Sequence, residues 1–277
     1  MRRLISRKSA SNRKNKNTGE QESRSLVLRL RKYLPHVLVI GVFGFFIGIG
    51  LWNLFSIRHE DAIARSEYEG LREIFASTPE QQEQPVAEPS EDETEATEEP
   101  EDNKRLSMDE LARINPDLVG WISIEGHVEY PVVRGNNNNK YIYTTFTGQT
   151  NNAGAIFMDY RNRNGFEDEI VIIFGHRMGD GTMFTSLPGY LNRDFLRDNQ
   201  IITITTRDGD ELTYRIFSAR QTDAWDTAYT ISFTDTARAP STFPGAPANA
   251  DRFLLLSTCT PSNNRDERII VYAALEG

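Results

Sequence analysis

From Tyr33 to Phe55 the chain reads YLPHVLVIGVFGFFIGIGLWNLF, 23 residues without Asp, Glu, Lys or Arg. A helix rises about 1.5 Å per residue, so roughly 20 such residues cross the hydrocarbon core of a bilayer. Lipid offers the backbone no hydrogen-bond partners, so the run must be helical, and its glycines are tolerated there. Tyr33 and Trp52 stand near the two ends, where amphipathic rings favour the interface. A signal peptide would show an apolar region of about 7–15 residues and a small-residue cleavage site. This run is longer and ends in Leu-Trp-Asn-Leu-Phe, so it reads as an uncleaved anchor over 33–55. Residues 1–33 carry eleven Lys or Arg against two Glu. The positive-inside rule then keeps residues 1–32 as a basic cytoplasmic tail and puts everything after Phe55 outside a cell membrane crossed once. His36 reads as an interfacial residue in the anchor's first turn.

Residues 56–104 read as stalk and linker. Positions 56–76 have helical character, with Ile57, Ala64, Leu71, Ile74 and Phe75 as apolar contacts and His59 solvated among charges. From 79 to 102 there are eleven Asp or Glu and no Lys or Arg. Such a segment buries too little apolar surface to offset its ordering entropy, and like charges extend it. The net charge of −9 thus averages a basic head and an acidic middle. A folded domain is expected over 105–277, long enough for one core. Ser107-Met-Asp-Glu110 fits a capping box at a helix start, and Asn115-Pro116 ends that helix.

The domain reads as mainly β. Short apolar or alternating runs recur at Val119–Ile124, Tyr130–Val133, Ala155–Met158, Glu169–Phe174, Ile201–Thr206, Glu211–Ser218, Arg252–Ser257 and Arg268–Ala274. Asp208-Gly209 suits a hairpin turn between two of them. Helical patches fall near Met183–Tyr190 and Arg193–Asp198. Eight short strands favour a closed barrel or a sandwich. Asn136–Asn139 is a polar loop. Thr222–Pro247, with Trp225, Tyr229, Phe233 and Phe243, is a long connection of the kind that is either functional or simply packed.

Cys259 is the one cysteine, so no internal disulfide forms. In an exported chain an odd cysteine pairs with another molecule or is a reactive thiol. His176 follows the buried run through Gly175, and both it and Cys259 stand at strand ends. His127 lies in a polar turn. A thiolate needs a cationic or hydrogen-bonding neighbour, and an imidazole supplies charge and carries protons. Arg268 opens the strand after Cys259. An antiparallel hairpin would return it to the thiol, and a guanidinium stays protonated beside a developing oxyanion. Arg265 competes for that role from inside the loop. Spacing alone leaves the trio open against coincidence. One Cys and scattered His do not supply four tetrahedral zinc ligands, and the outer domain has no basic patch for nucleic acid.

In order along the chain, Asn115-Pro-Asp-Leu-Val-Gly-Trp-Ile-Ser-Ile124, Tyr130-Pro-Val-Val133, Gly154-Ala-Ile-Phe-Met-Asp-Tyr-Arg161, Phe174-Gly-His-Arg-Met178, Gly181-Thr-Met-Phe184, Leu256-Ser-Thr-Cys-Thr260 and Arg268-Ile-Ile-Val271 resemble the catalytic domain of class B sortases. The likeness runs from about residue 106 to the end. One departure is Leu255, where the family usually has Thr.

The resemblance implies a closed β-barrel of about eight strands with peripheral helices, and a cysteine transpeptidase without metal or organic cofactor. Cys259 would attack a C-terminal sorting signal of a secreted protein after its Thr. An amine of peptidoglycan or of its lipid-linked precursor would resolve the thioacyl enzyme. His176 would be the general acid and base, and Arg268 would hold substrate or oxyanion. Thr222–Pro247, including Tyr229, would help form the peptide groove. Ser257 and Thr258 would touch substrate or support the strand end. A cell-wall cysteine hydrolase and a non-catalytic stalked surface module are the rival classes. In papain-like hydrolases Cys precedes His and opens a helix, unlike here.

Overall fold

A computed structural model describes residues 2–76, 100–229, 243–262, 264 and 266–276. The acidic stretch 77–99, Phe233 with the rest of 230–242, and Arg265 lie outside the described residues. The chain divides into two units, Met1–His59 and Glu60–Gly277. Helix α1 runs Arg2–Ala76. In the first unit it is long and apolar enough to cross a membrane, and large side chains from Leu38 to Phe55 are exposed.

In the second unit β1 (Leu118–Ile124), β2 (Val128–Val133), β3 (Ile156–Met158), β4 (Ile170–Phe174), β5 (Ile201–Thr206), β6 (Glu211–Asp223), β7 (Phe253–Cys259) and β8 (Glu267–Leu275) close into one barrel in the order β1-β2-β3-β4-β7-β8-β6-β5. The pairs β2–β3 and β4–β7 are parallel, and the others are antiparallel. Thr206–Asp210 makes the β5–β6 turn, with Thr206 N on Asp210 O at 2.8 Å and Gly209 at φ 94°. A residue with a Cβ is strained at that angle.

Side chains alternate faces along a strand. In β4, β7 and β8, Val171, Ile173, Leu254, Leu256, Ile269 and Val271 enter the main core with Trp121 and Phe184. Their neighbours Ile170, Ile172, Phe253, Leu255, Ile270 and Tyr272 face a second cluster, capped by Ala228 and Phe243 from the β6–β7 connection. β4 is therefore apolar on both faces, which explains the unbroken Ile-Val-Ile-Ile-Phe. Leu255 is fully buried in the second cluster, so the departure noted from the family pattern is a packing matter.

Three local expectations change. Helix α2 spans Pro100–Ile114, so Ser107 sits inside the helix and is buried rather than capping it. Proline at a first helical position has its φ preset and no N–H to satisfy. The patch at Met183–Tyr190 is loop until a 3-10 turn at Leu187–Leu191, because Met183 adopts φ 58°. Helix α3, Arg193–Asp198, falls as expected and is capped by Asn192 Oδ1. Residues 60–76, expected in the stalk, pack on the barrel. Ala64, Tyr68 and Leu71 are buried, and Phe75 stacks on Trp121 with centroids 4.3 Å apart. Each large apolar side chain buried this way stabilises by about 1.5–3 kcal/mol.

Candidate active site

β7 is the middle strand of the site. On one side the parallel strand β4 pairs Phe174 with Ser257. On the other, antiparallel β8 pairs Arg268 with Cys259. Parallel neighbours end at the same level, about 4.8 Å apart, so His176, two residues past Phe174, emerges beside Cys259, two residues past Ser257. Two cross-strand bonds hold the ends together. Gly175 N donates to Ser257 O at 3.2 Å, and Thr258 Oγ1 donates to Gly175 O at 2.8 Å. Gly175 admits no side chain, because a Cβ would lie 2.4 Å from Ile156 Cδ1 and 2.7 Å from Phe184.

Alternation along β7 sends Ser257 and Cys259 to the outer face, the side capped by the β6–β7 connection. Arg268 is Cys259's partner and shares that face. His176, Cys259, Arg268, Ser257, Thr258 and Tyr229 all line one open groove of about 760 Å³. Cys259 is half-buried and its thiol is free. His176 Nε2 lies 2.7 Å from Ile142 O. A carbonyl only accepts, so Nε2 carries the proton and Nδ1 is the nitrogen that exchanges one. The ring stacks on Tyr143 at 5.9 Å. Arg268 Nη1 donates to Glu267 O at 3.0 Å. Glu267 in turn closes the hairpin loop, accepting from Ser262 Oγ at 2.6 Å and Thr260 Oγ1 at 3.1 Å.

The remaining candidates are engaged with the protein. Ser257 Oγ and Tyr229 OH are 2.9 Å apart. Burial pushes the Tyr229 phenol up to about 12, against the Ser257 hydrogen bond and the Arg268 charge, so it stays protonated at neutral pH. Thr258 is buried and spends its hydroxyl on Gly175. Thr258 thus ties the β7 end to Gly175, and Ser257 ties β7 to Tyr229, while both line the groove. Tyr229 closes a 3-10 turn, Thr227–Tyr229, that Asp226 starts by accepting from Ala228 N at 2.7 Å. Arg220 Nη2 donates to Asp226 at 2.7 Å and Arg220 Nε to Tyr272 OH at 2.9 Å. Burial opposes the Asp226 charge, but these donors and Thr222 outweigh it and hold the carboxyl below its usual range.

Several groups at the groove had no sequence signal. Ile142 contributes only a carbonyl. Asp159 is fully buried and paired with Arg161 at 2.7 Å. Arg161 Nη2 reaches Tyr229 O at 3.3 Å. Both stand within a stretch quoted above for its resemblance, yet spacing gave them no role. His127 is away from the groove, 3.0 Å from Asn199 Oδ1.

A thiol, an imidazole with one fixed nitrogen and a guanidinium at the rim of one groove suit covalent acyl transfer. The sortase domain model matches residues 122–276, and the chain belongs to the sortase family. Within it the chain falls among the class B sortases, which are cysteine transpeptidases. Sortase B of Staphylococcus aureus is 27% identical over 267 residues, covering 90% of this chain and 98% of that protein. Sortase B of Listeria monocytogenes is 41% identical over 93 residues, which are 33% of this chain and only 38% of that protein. A Staphylococcus aureus sortase B-substrate complex superposes with a TM-score of 0.63 at 27% identity, covering 79% of this chain and 98% of that one. Clostridium perfringens sortase B gives 0.55 at 28% identity, over 61% and 99%.

Proposed function

We propose that this chain is a membrane-anchored transpeptidase that cleaves a C-terminal sorting signal after Thr and joins the secreted protein to an amine of peptidoglycan or its lipid-linked precursor. The observation that carries the proposal is the convergence of three adjacent strand ends, β4, β7 and β8, on one groove. The Cys259 thiolate attacks the scissile carbonyl and forms a carbon–sulfur bond. The oxyanion so created faces the Arg268 guanidinium, which cannot lose its charge. As the carbon–nitrogen bond breaks, Nδ1–H of the His176 imidazolium protonates the leaving amine, and a thioester remains. The acceptor amine then attacks, Nδ1 takes its proton, and the carbon–sulfur bond breaks to regenerate the thiolate and imidazolium. The hydrogen bond from Nε2 to Ile142 O keeps the ring oriented through both steps.

The basic tail and apolar helix favour a cytoplasmic N-terminus and an extracellular catalytic unit. A sortase B neighbour solved as a substrate complex supports the groove as the peptide site. The test presents purified full-length protein with a sorting-signal peptide library and amine acceptors. A Cys259 thioacyl adduct and an amide product are expected by mass spectrometry. Full cleavage by Cys259→Ala protein would overturn the proposal. Persistent free acid despite excess amine would replace transfer by hydrolysis.

A further inference from the structure

We propose that helical segment 60–76 is a positioning element for His176, acting through Tyr68 and Arg65. The inference rests on the transpeptidase reading above. His176 lies outside the barrel ladder, so two loops decide where its ring points. One is its own loop, 175–186. The other is the 141–151 turn, whose Ile142 carbonyl holds Nε2. Segment 60–76 grips both.

Tyr68 is buried, and its hydroxyl donates to Gly154 O at 2.6 Å and accepts from Phe146 N at 3.4 Å. Phe146 lies within the turn that presents Ile142, and Gly154 lies just past its end, where Ala155 N donates back to Tyr141 O at 3.0 Å. At Gly154, φ +56°, a Cβ would lie 2.4 Å from Ile142 O, so this backbone runs against the carbonyl that His176 uses. Glu67 accepts from Thr147 N at 2.9 Å in the same turn, and Asn151 Nδ2 donates to Glu60 O at 2.9 Å. The Tyr68 ring also packs edge-on against Tyr130 at 5.1 Å. Tyr130 OH accepts from Met183 N at 2.9 Å in the histidine's own loop.

Arg65 holds that loop directly. Its Nη2 donates to Asp180 O at 3.0 Å and to Asp180 Oδ2 at 3.2 Å. Asp180 Oδ1 accepts from Thr182 N and Oγ1, and Phe184 N returns to His176 O at 2.9 Å. The Arg65 side chain is 49% exposed, and exposed ion pairs contribute little. Tyr68 therefore carries the larger share, since removing its hydroxyl strands two backbone groups in a buried place.

The experiment uses the full chain in detergent, with Tyr68→Phe, Arg65→Ala and Arg65→Lys. Three readouts are taken: kcat and KM on a sorting-signal peptide, the pH profile of Cys259 alkylation by iodoacetamide, and the melting temperature. A misplaced catalytic group costs rate more than binding, so Tyr68→Phe is expected to lower kcat about tenfold with KM changed by less than about twofold. Its alkylation profile should move toward that of His176→Ala. Arg65→Ala should do the same to a smaller degree, and Arg65→Lys should recover most of it. The proposal is overturned if kcat and the alkylation profile stay at wild-type values in Tyr68→Phe and Arg65→Ala. It is equally overturned if every loss tracks the fraction unfolded. Should the wild-type chain cleave no sorting peptide, the transpeptidase reading fails by itself. Alkylation needs no substrate, so a shifted profile would still support the positioning role and an unshifted one would still reject it.

Discussion

The two flanks of β7 bring chemistry to the same thiol by different means. On the β8 flank, Arg268 returns through a short hairpin whose register pairs it with Cys259, and the Glu267 carboxylate ties the loop. On the β4 flank, His176 arrives from 83 residues away through a parallel pairing. No tight turn can enforce a parallel pairing. It is held instead by burial of Ile170–Ile173 on both faces of β4 and by the bonds between Gly175 and residues 257–258. The local flank is fixed by register, and the distant one by packing and tethers. The histidine should therefore be the easier group to displace, and the arginine the easier one to replace.

The largest effects test the chemistry at which the flanks meet. Cys259→Ala is expected to abolish peptide cleavage, and His176→Ala to lower kcat by about 10³-fold or more, with circular dichroism unchanged. On the hairpin flank, Arg268→Lys keeps a charge at the same register but loses the planar fork. A fall in kcat of about 10–10²-fold is expected, smaller than that of Arg268→Ala. Equal losses for the two would mean that guanidinium geometry, not charge, is what the hairpin delivers.

Thr258→Val sharpens the comparison on the other flank. It keeps volume but leaves Gly175 O without its hydroxyl donor, so urea denaturation should show a loss of about 1–3 kcal/mol. The rate should fall through His176 while Arg268 is untouched. A rate at the wild-type value would show that burial and the Gly175–Ser257 backbone bond hold the β4 flank without the Thr258 hydroxyl. Smallest is Asp226→Asn, which weakens the grip of Arg220 on the turn bearing Tyr229. KM should rise about threefold with kcat nearly unchanged. The Asp226 carboxyl is depressed, so its contribution is present above the ordinary Asp value near 4 and is lost as pH falls through its lower folded value. Thermal melts of wild type and Asp226→Asn should therefore differ at pH 6 and draw together as pH falls below the ordinary Asp value.

The same contrast decides what the sequence could reveal. Strand positions were legible because each carries a period-two or unbroken apolar run, and the hairpin argument put Arg268 beside Cys259. β6 is longer than its apolar pattern because its ladder with β8 continues to Asp223 opposite Glu267, where polar side chains carry no hydrophobic signal. The β4–β7 pairing was not legible, since nothing in the residues between Phe174 and Phe253 specifies that partner. Ile142 acts through its backbone. Tyr68 lies in a helical stretch whose apolar contacts were recognised without a surface to receive them. Asp159 is buried and pairs with the exposed Arg161, whose further partner, the Tyr229 carbonyl, is distant in sequence.

The barrel's closure has a consequence for the company this enzyme keeps. With β5 paired back to β1, the ring closes, and each of the eight described strands pairs with a neighbour on both sides. At the location proposed above, it would stand among newly exported chains that are still extended. An open edge there would recruit strands indiscriminately through main-chain hydrogen bonds. Closing the ladder would then leave recognition of extended peptide to the proposed groove that holds the thiol.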